Sequence, residues 1–287
     1  MQSPGELPNE VVARALAEDI GPGDLTAEAT VPADARSRAR IVQKQPGVVF
    51  GLDLVWEAMR QSGVDRLDKL VLEGRWREEV PADIALASGP ARALLAAERT
   101  ALNFLGHLSG VATLTARYVE AVAGTGVRIL DTRKTTPGLR GLEKAAVAAG
   151  GAENHRMGLH DAILIKENHI ALAGGLAKVV HAARTLRPDL AVEVECRNLD
   201  EVAYALGTGA DALLLDNMDT ATLGKAVALR DACAGAKAPS LEASGGVTLE
   251  TVRQIAEAGV DFISVGALTH SAPSIDFSLL IDRQEPA

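Results

Sequence analysis

The segment "ALLLDNMD", residues 212–219, is a short apolar run that ends in an acidic side chain and further polar residues. The same plan recurs after Gly126 in "VRILDTRKT" (127–135), "AILIKENH" (162–169), "AVEVECRN" (191–198), "PSLEASGGV" (239–247) and "FISVGALT" (262–269). Most of these strand-like runs are followed by a stretch with helical spacing. Near-continuous apolar strands alternating with helices indicate a parallel sheet. Six such units predict an incomplete (β/α) barrel of the TIM type, short of the full eight strands.

The chain before Gly126 has a different texture. From about Arg38 to Arg92, strand-like runs are interleaved with turns, which predicts a small α/β sandwich. Residues 98–124 then carry apolar side chains at helical intervals, so we expect one or two helices, with the region of Gly110 as the expected break. We therefore predict an α/β protein with an N-terminal sandwich domain over 1–110 and a barrel domain over 111–270. The C-terminal tail, 271–287, is a candidate to return to the first domain.

Composition narrows the classes of function. The chain has 287 residues, a formal net charge of -9 and 47% hydrophobic residues, which suits a globular protein without disulfide or metal staples. The net acidity of the chain argues against a nucleic-acid partner. The sequence has neither a secretory leader nor a run of roughly 18 apolar residues, so we expect no membrane association. Its two cysteines form no disulfide framework, and the cytoplasm is the predicted location.

Polar residues at the strand ends are the candidate site, because active sites of such barrels lie where the strands end. The strand-end residues are Asp131, Arg133, Lys134, Lys166, Glu195, Asp216, Ser244 and Gly266. The last two units, "EASGGV" and "SVGALT", are glycine-bearing turns at the position where barrel enzymes often bind phosphate. Glycine lets the backbone approach a phosphate closely enough for its N–H groups to donate. Two tight strand-to-helix turns are the alternative interpretation of the same residues.

A cluster of cations in an acidic chain needs an explanation. Arg133, Lys134, Arg156 and Lys166 are expected to converge on one rim, which indicates a ligand with several negative charges. The intervals between His155, His160 and His169 fit no usual metal-ligand motif.

Two carboxylates end successive predicted strands. Glu195 and Asp216 are placed to hold ribose hydroxyls or Mg²⁺, although strand-end carboxylates also serve as helix caps or salt-bridge partners. Glu193 shares the face of Glu195 by alternation and is a possible substitute. Cys196 points to the opposite face and is predicted to be core.

The sequence resembles the quinolinate phosphoribosyltransferase family nearly end to end. The motifs that carry the resemblance are, in chain order, "EDIGPGDLT", "ERTALNFLGHLSGVAT", "DTRKTTPGLR", "NHRMGLHDAILIKENHI", "VEVE", "LLLDNM", "EASGGV" and "ISVGALT". The resemblance implies the joining of quinolinate to phosphoribosyl pyrophosphate, with release of pyrophosphate and CO₂, as a step of NAD synthesis. It also implies Mg²⁺ as cofactor and a homodimer in which one subunit's N-terminal domain covers its partner's barrel.

Site roles follow from the resemblance position by position. It implies that quinolinate is bound by Arg133, Lys134, His155, Arg156 and Lys166, with Arg99 reaching in from the partner subunit. Thr132 is implied as a further substrate-binding residue. Glu195 and Asp216 would hold the ribose and its Mg²⁺, directly or through substrate and water. Ser244, Gly245, Gly246 and Gly266 would take the 5′-phosphate, and the implied catalytic residues are Lys134, Lys166, Glu195 and Asp216.

Three other functions remain open at the level of sequence. A Schiff-base aldolase could use Lys166 or Lys134 against the carbonyl of a sugar phosphate, although this leaves Arg133 and Arg156 unexplained. A sister phosphoribosyltransferase or a paralogue of the same fold outside NAD synthesis would act on another ring. A non-catalytic phosphate-binding module is the third, and the full cation cluster argues against it.

Overall fold

The fold is described from a computed structural model, in which residues 8–233 and 238–282 are described. The helices are α1 Pro8–Ile20, α2 Leu25–Thr30, α3 Leu52–Gln61, α4 Ala91–Ala121, α5 Arg140–Ala149, α6 Glu167–Ala173, α7 Leu176–Leu186, α8 Leu199–Leu206, α9 Thr220–Ala232, α10 Val252–Glu257 and α11 Ala267–His270. The strands are β1 Arg36–Gln43, β2 Gly47–Val48, β3 Arg66–Lys69, β4 Trp76–Arg77, β5 Ala82–Pro90, β6 Arg128–Leu130, β7 Ile163–Ile165, β8 Val192–Cys196, β9 Ala212–Asp216, β10 Ser240–Ser244, β11 Phe262–Ser264 and β12 Phe277–Ile281.

The chain divides into two compact units. The first takes in the described residues of Met1–Ala116, Thr136–Gly151 and Leu268–Ala287, and the second takes in Arg117–Thr135 and Ala152–Ala267. These units are spatial clusters, and the domain boundary predicted after residue 110 stays a prediction. Among the helices of the described residues, none is both long and apolar enough to cross a membrane.

The first unit is built on an antiparallel sheet with the strand order β12-β1-β5-β3, beside a two-stranded pair formed by β2 and β4. Strand β1 is central to it and pairs with both β5 and β12. A turn precedes α2, as the sequence "GPGDLT" predicts. Gly21 and Gly23 have positive φ angles, and the Asp24 carboxylate caps the helix by accepting from the Ala27 N–H at 2.9 Å.

Helix α4 runs without interruption through Gly110, so the predicted break is wrong. The hydrophobic spacing of residues 98–124 continues across this position, and glycine costs a helix only about 1 kcal/mol relative to alanine. Gly110 serves another purpose. A Cβ atom there would lie 3.0 Å from Pro273 C and 3.1 Å from Ser274 Cα, and closer still to Pro273 O. The absent side chain therefore lets the segment before β12 lie directly on the helix.

The second unit contains a six-stranded parallel sheet with the order β6-β11-β10-β9-β8-β7. Helices connect most of the successive strands, as the alternating sequence pattern predicts. A parallel bridge between Leu130 and Glu153 adds the segment after α5 to the free edge of β6. Among the described residues, strands β6 and β7 are the two edges of the sheet and are not paired with each other. The α/β architecture with an incomplete barrel is therefore confirmed.

Alternation along the strands separates core from site. On β8, Val192, Val194 and Cys196 are fully buried, as are Leu213 and Leu215 on β9. Cys196 is thus core, as predicted, and burial, aided by nearby carboxylates, raises the pKa of its thiol to about 12. The residues that alternate with these buried ones along β8 and β9 point to the other face of the sheet. That face carries the polar side chains at the strand ends.

We predict opposite effects for two helical Gly→Ala substitutions. Gly110→Ala should lower the free energy of unfolding by about 1–3 kcal/mol, because the new methyl group meets backbone atoms that cannot move aside. Gly224→Ala in α9 is the matched control. Nothing lies within 4 Å of its Cβ position, so the better helix former should add about 0.5–1 kcal/mol. Urea denaturation of both variants tests this, and equal effects would contradict the close approach at Gly110.

Candidate active site

Three side chains at the carboxyl ends of neighbouring strands share one face of the parallel sheet. Ser244 of β10 is paired with Asp216 of β9, and Glu195 of β8 is paired with Leu214, two residues before Asp216. Residues paired directly across strands, and residues two apart on one strand, point to the same side. The register therefore places Glu195, Asp216 and Ser244 on one face, as the sequence predicts.

Lys166 joins this face through an ion pair. It caps the start of α6 directly after β7, and its Nζ atom donates to Glu195 Oε2. The Glu195 side chain is only 10% exposed, whereas that of Lys166 is 44% exposed. A carboxylate this poorly hydrated needs a partner, and the lysine supplies it while leaving much of its own side chain accessible to a ligand.

The predicted phosphate loop after β10 has a backbone conformation that only its glycines adopt readily. Gly245 and Gly246 have φ angles of 101° and 60°, a region that disfavours other residues. Beyond β11, whose Ser264 is paired with Ser244, Gly266 lies two residues further along the chain.

Asn217 is a residue of this site that the sequence analysis did not single out. Its φ angle is 55°, which asparagine tolerates better than most residues. Its backbone N–H donates to Ser244 O at 2.8 Å, and its side chain donates to Asp216 Oδ2 at 3.0 Å. The same side chain fills the space that a Cβ atom at Gly245 would need. The signal available in the sequence was an asparagine directly after a strand-end aspartate.

Arginines 133 and 156 lie close enough to repel each other. Burial, followed by the charge of Arg133, lowers the pKa of Arg156, whereas Glu193 and Asp161 act in the opposite direction. In the loop that follows β6 and contains Arg133, the Thr132 hydroxyl accepts from the Lys134 N–H at 3.0 Å. Bringing two guanidinium groups together is unfavourable without an anion, so this arrangement is suited to binding one.

A buried aspartate holds the segment that contains His155 and Arg156. Asp131 follows β6 and is fully buried. One of its oxygens accepts from the His155 backbone N–H at 2.8 Å, and the other accepts from Asn154 Nδ2 at 2.7 Å. The aspartate of "DTRKT" is therefore a scaffold for the candidate site, because it fixes the loop that presents Arg156.

His155 lies against two glutamates from the inner face of the sheet. Its Nε2 atom is 3.1 Å from Glu193 Oε2 and 3.5 Å from Glu242 Oε2. Glu193, considered from the sequence as a substitute for Glu195, thus has a different partner. Glu242 was not predicted, although its place two residues before Ser244 gives it the same face by alternation.

Arg99 belongs to the first unit. It is exposed on α4, and it has no hydrogen-bond or ion-pair partner within residues 8–233 and 238–282. Its predicted role concerns a partner subunit.

We predict that Glu242→Gln makes stability less dependent on pH. Burial, then the charge of Glu193, raises the pKa of Glu242 to about 7, from an ordinary value of 4.5. A raised folded-state pKa contributes stability that is complete below the unfolded-state pKa and is lost as pH rises through the folded-state value. Between about pH 4.5 and 7 the wild type should therefore lose stability that the neutral glutamine retains.

Urea denaturation of both proteins at pH 5 and pH 8 measures this difference. The variant should gain on the wild type between these two values by on the order of 1–3 kcal/mol. A difference between the two proteins that does not change with pH would contradict the raised pKa.

Known families match both parts of the chain. Residues 24–109 match the family "Quinolinate phosphoribosyl transferase, N-terminal domain", and residues 111–280 match "Quinolinate phosphoribosyl transferase, C-terminal domain". Among curated relatives, the carboxylating nicotinate-nucleotide pyrophosphorylase of Mycobacterium leprae is 42% identical over 275 residues, covering 94% of this chain and 95% of the relative. A probable enzyme of the same name from Synechocystis is 43% identical, covering 93% of this chain and 90% of the relative.

Solved structures agree with the sequence matches. The structure of the nicotinate-nucleotide pyrophosphorylase from Francisella tularensis superimposes with a TM-score of 0.90 at 38% identity. That match covers 98% of this chain and all of the other. Similarity of this extent in sequence and fold, over both units, shows that the chain belongs to the quinolinate phosphoribosyl transferase family.

Proposed function

We propose that the strand-end face of the second unit transfers a phosphoribosyl group from phosphoribosyl pyrophosphate to quinolinate. The products are nicotinate mononucleotide, pyrophosphate and CO₂, in a step of NAD biosynthesis. The observation that carries the proposal is the shared face of Lys166, Glu195, Asp216 and Ser244, near the repelling pair Arg133 and Arg156. We also propose that the protein acts in the cytoplasm, as predicted from the sequence.

Quinolinate binding requires the neutralisation of two carboxylates on adjacent ring carbons. Arg133 and Arg156 match carboxylate geometry through their planar forks, whereas Lys134 and Lys166 act as point charges. We assign His155 to the same site, and Thr132 supports the loop by accepting from the Lys134 N–H. A dianion relieves the repulsion between the two arginines, so binding energy comes from charges that the protein already holds together.

The phosphate end of the second substrate is assigned to the glycine-bearing turns. Ser244, Gly245, Gly246 and Gly266 would bind the 5′-phosphate, with backbone N–H groups as donors. Because Ser244 and Asp216 are paired residues of neighbouring strands, a phosphate bound at Ser244 would bring the attached ribose towards Asp216.

The carboxylates have the role of stabilising charge. Departure of pyrophosphate leaves positive charge on the ribose ring, and preorganised carboxylates at Glu195 and Asp216 stabilise that charge. Lys134 and Lys166 counter the negative charge of the anionic substrate groups while the quinolinate nitrogen attacks C1 of the ribose. Once quaternised, the positively charged ring nitrogen stabilises the carbanion left on the adjacent carbon when its carboxylate departs as CO₂. A proton from solvent then takes the place of the lost carboxylate on that carbon. This sequence of steps requires no covalent enzyme intermediate.

The carboxylate oxygens of Glu195 and Asp216 are suitable ligands for Mg²⁺. Glu195 and Asp216 offer hard oxygen ligands on neighbouring strands, and Mg²⁺ is commonly held by one or two carboxylates together with substrate phosphates. We propose that these two residues hold the ion, directly or through substrate and water. When bound there, it would neutralise charge on the pyrophosphate group.

The aldolase alternative is disfavoured by the position of Lys166. A Schiff base requires a neutral amine with access to a carbonyl, whereas the Lys166 amino group is engaged by the Glu195 carboxylate. The ion pair instead favours a role for Lys166 as an electrostatic partner of an anionic substrate.

We predict strong discrimination between quinolinate and nicotinate. Nicotinate lacks the second carboxylate, so part of the cation cluster is left without its counter-charge. Breaking a buried ion pair in this way costs roughly 3–5 kcal/mol, or a factor of about 100 or more in kcat/KM. Incubation of the protein with phosphoribosyl pyrophosphate, Mg²⁺ and either acid, followed by mass spectrometry of the mononucleotide, tests the function and the preference together. Comparable turnover of the two acids would refute the dianion site.

We further propose a homodimer in which Arg99 serves the partner's quinolinate pocket. An exposed arginine on α4 without a counter-ion in the described part of the chain is available to a second subunit. We predict that mixing inactive Arg99→Ala and Lys166→Ala proteins restores activity. In a mixed dimer, the barrel that retains Lys166 receives Arg99 from the other subunit, while the second barrel lacks both residues.

Random exchange in a two-fold symmetric dimer makes about half of the dimers mixed, each with one complete site, so roughly a quarter of wild-type activity should return. The mixed dimers are quantified with a tag on one variant. If Arg99 acted within its own subunit, every site would lack one residue, and the mixture would stay inactive despite confirmed exchange.

A further inference from the structure

His155 is held at three atoms by other parts of the second unit or by its neighbour. Its backbone N–H donates to Asp131 Oδ1 at 2.8 Å. Its Nδ1 atom accepts from the backbone N–H of Arg156 at 2.7 Å. Its Nε2 atom lies 3.1 Å from Glu193 Oε2. The side chain is 14% exposed, so little of the ring is hydrated, and these contacts decide its orientation.

The Nδ1 contact identifies the tautomer of His155. An atom that accepts a hydrogen bond carries no proton, so the ring proton of the neutral imidazole lies on Nε2. Nε2–H then donates to Glu193, with the oxygen of Glu242 at 3.5 Å as a second, weaker acceptor. Both ring nitrogens are therefore engaged by the protein.

A divalent metal ion would also be drawn to such a group. The ligand atoms of His155, Glu193 and Glu242 all lie within 4.8 Å of one another. However, a histidine that binds a metal through one nitrogen normally donates its other N–H to a neighbour. Here the other nitrogen accepts from a backbone N–H, so metal binding at Nε2 would leave the ring without either proton. The geometry favours a hydrogen-bonded group over a metal site.

Each of the two glutamates comes two residues before a proposed substrate residue on the same strand. Glu193 precedes Glu195 by two residues on β8, and Glu242 precedes Ser244 by two residues on β10. Glu242 is 3% exposed, and its Oε1 atom has no hydrogen-bond partner in the described part of the chain. Such a buried carboxyl is costly to the fold, so its retention beside His155 calls for a role that an apolar residue could not fill.

We propose that Glu193, supported by Glu242, is a positioning residue for quinolinate. It accepts from Nε2–H and fixes the imidazole, the Nδ1 atom of which in turn holds the backbone of Arg156 beside Arg133. The charge of Glu193 also acts favourably on the Arg156 guanidinium. The inference rests on the proposed function, because Arg156 is assigned there to the quinolinate clamp.

Steady-state kinetics of two substitutions at one position tests the role. Glu193→Met preserves side-chain length but cannot accept the Nε2–H bond. It should raise the KM for quinolinate about 10- to 100-fold, the size expected when a hydrogen bond to a charged group is lost, while the KM for phosphoribosyl pyrophosphate changes little. Glu193→Gln is the matched control. Its amide oxygen still accepts, so it should restore most of the quinolinate affinity.

A double-mutant cycle shows whether Glu193 acts through His155. His155→Asn retains an acceptor near the Nδ1 position but not the Nε2–H donor. If the two residues act as one unit, adding Glu193→Met to His155→Asn should raise the KM for quinolinate no further. Fully additive effects would overturn the proposal, as would an unchanged KM in Glu193→Met.

Different results would refute the proposed function and the positioning role of Glu193. A wild-type protein that makes no nicotinate mononucleotide from quinolinate would refute the proposed function. An active wild type with a normal KM in Glu193→Met refutes the positioning role alone. Stoichiometric manganese or zinc in the purified wild type, lost in Glu193→Met, would overturn the hydrogen-bonded reading in favour of a metal site.

Discussion

Parallel strands in register place every second side chain on a common face, and in this protein that face carries the charged groups of the candidate site. The pairing of Ser244 with Asp216 and of Glu195 with Leu214 determines which residues meet. A shift of one residue in any of these strands would turn its polar side chains into the core. The apolar residues between them, such as Val194 and Leu215, are fully buried and make such a shift prohibitively unfavourable. Packing of the core thus fixes the strand register, and the register determines which polar side chains meet at the strand ends.

Charge balance is the second constraint on this face. The protein is acidic overall, yet it must bind substrates that carry carboxylates and phosphates. It concentrates cations at one place and restrains them with acidic groups that have little exposure. Glu195 engages Lys166, and Glu193 acts on Arg156. Each carboxylate reduces repulsion among the cations in the absence of substrate. An anionic ligand can then take over part of that role when it binds.

The candidate site was largely predictable because its residues follow a simple periodicity. Strand ends are visible as polar residues after apolar runs, so the sequence singles out Lys166, Glu195, Asp216 and Ser244 as candidates. Glu242 lies inside a strand, and its importance depends on a histidine 87 residues away, so local pattern did not single it out. Asn217 was missed for a similar reason, since its contact with Ser244 crosses between two strands. Asp131 was noted as a strand-end residue, but its work as a scaffold for Asn154 and His155 required three-dimensional contacts.

The sequence by itself determined the class of fold, the buried faces of the strands, the turn and cap before α2 and the family. Each of these depends on local spacing or on motifs that are contiguous in the chain. Only the tertiary structure decided that α4 continues through Gly110, because the reason for that glycine is a backbone segment more than 160 residues later. It alone decided that Glu193 contacts His155 rather than replacing Glu195. The physical reason is the same in both cases: a short side chain or a buried charge is explained by the atoms that surround it, and those atoms come from distant parts of the chain.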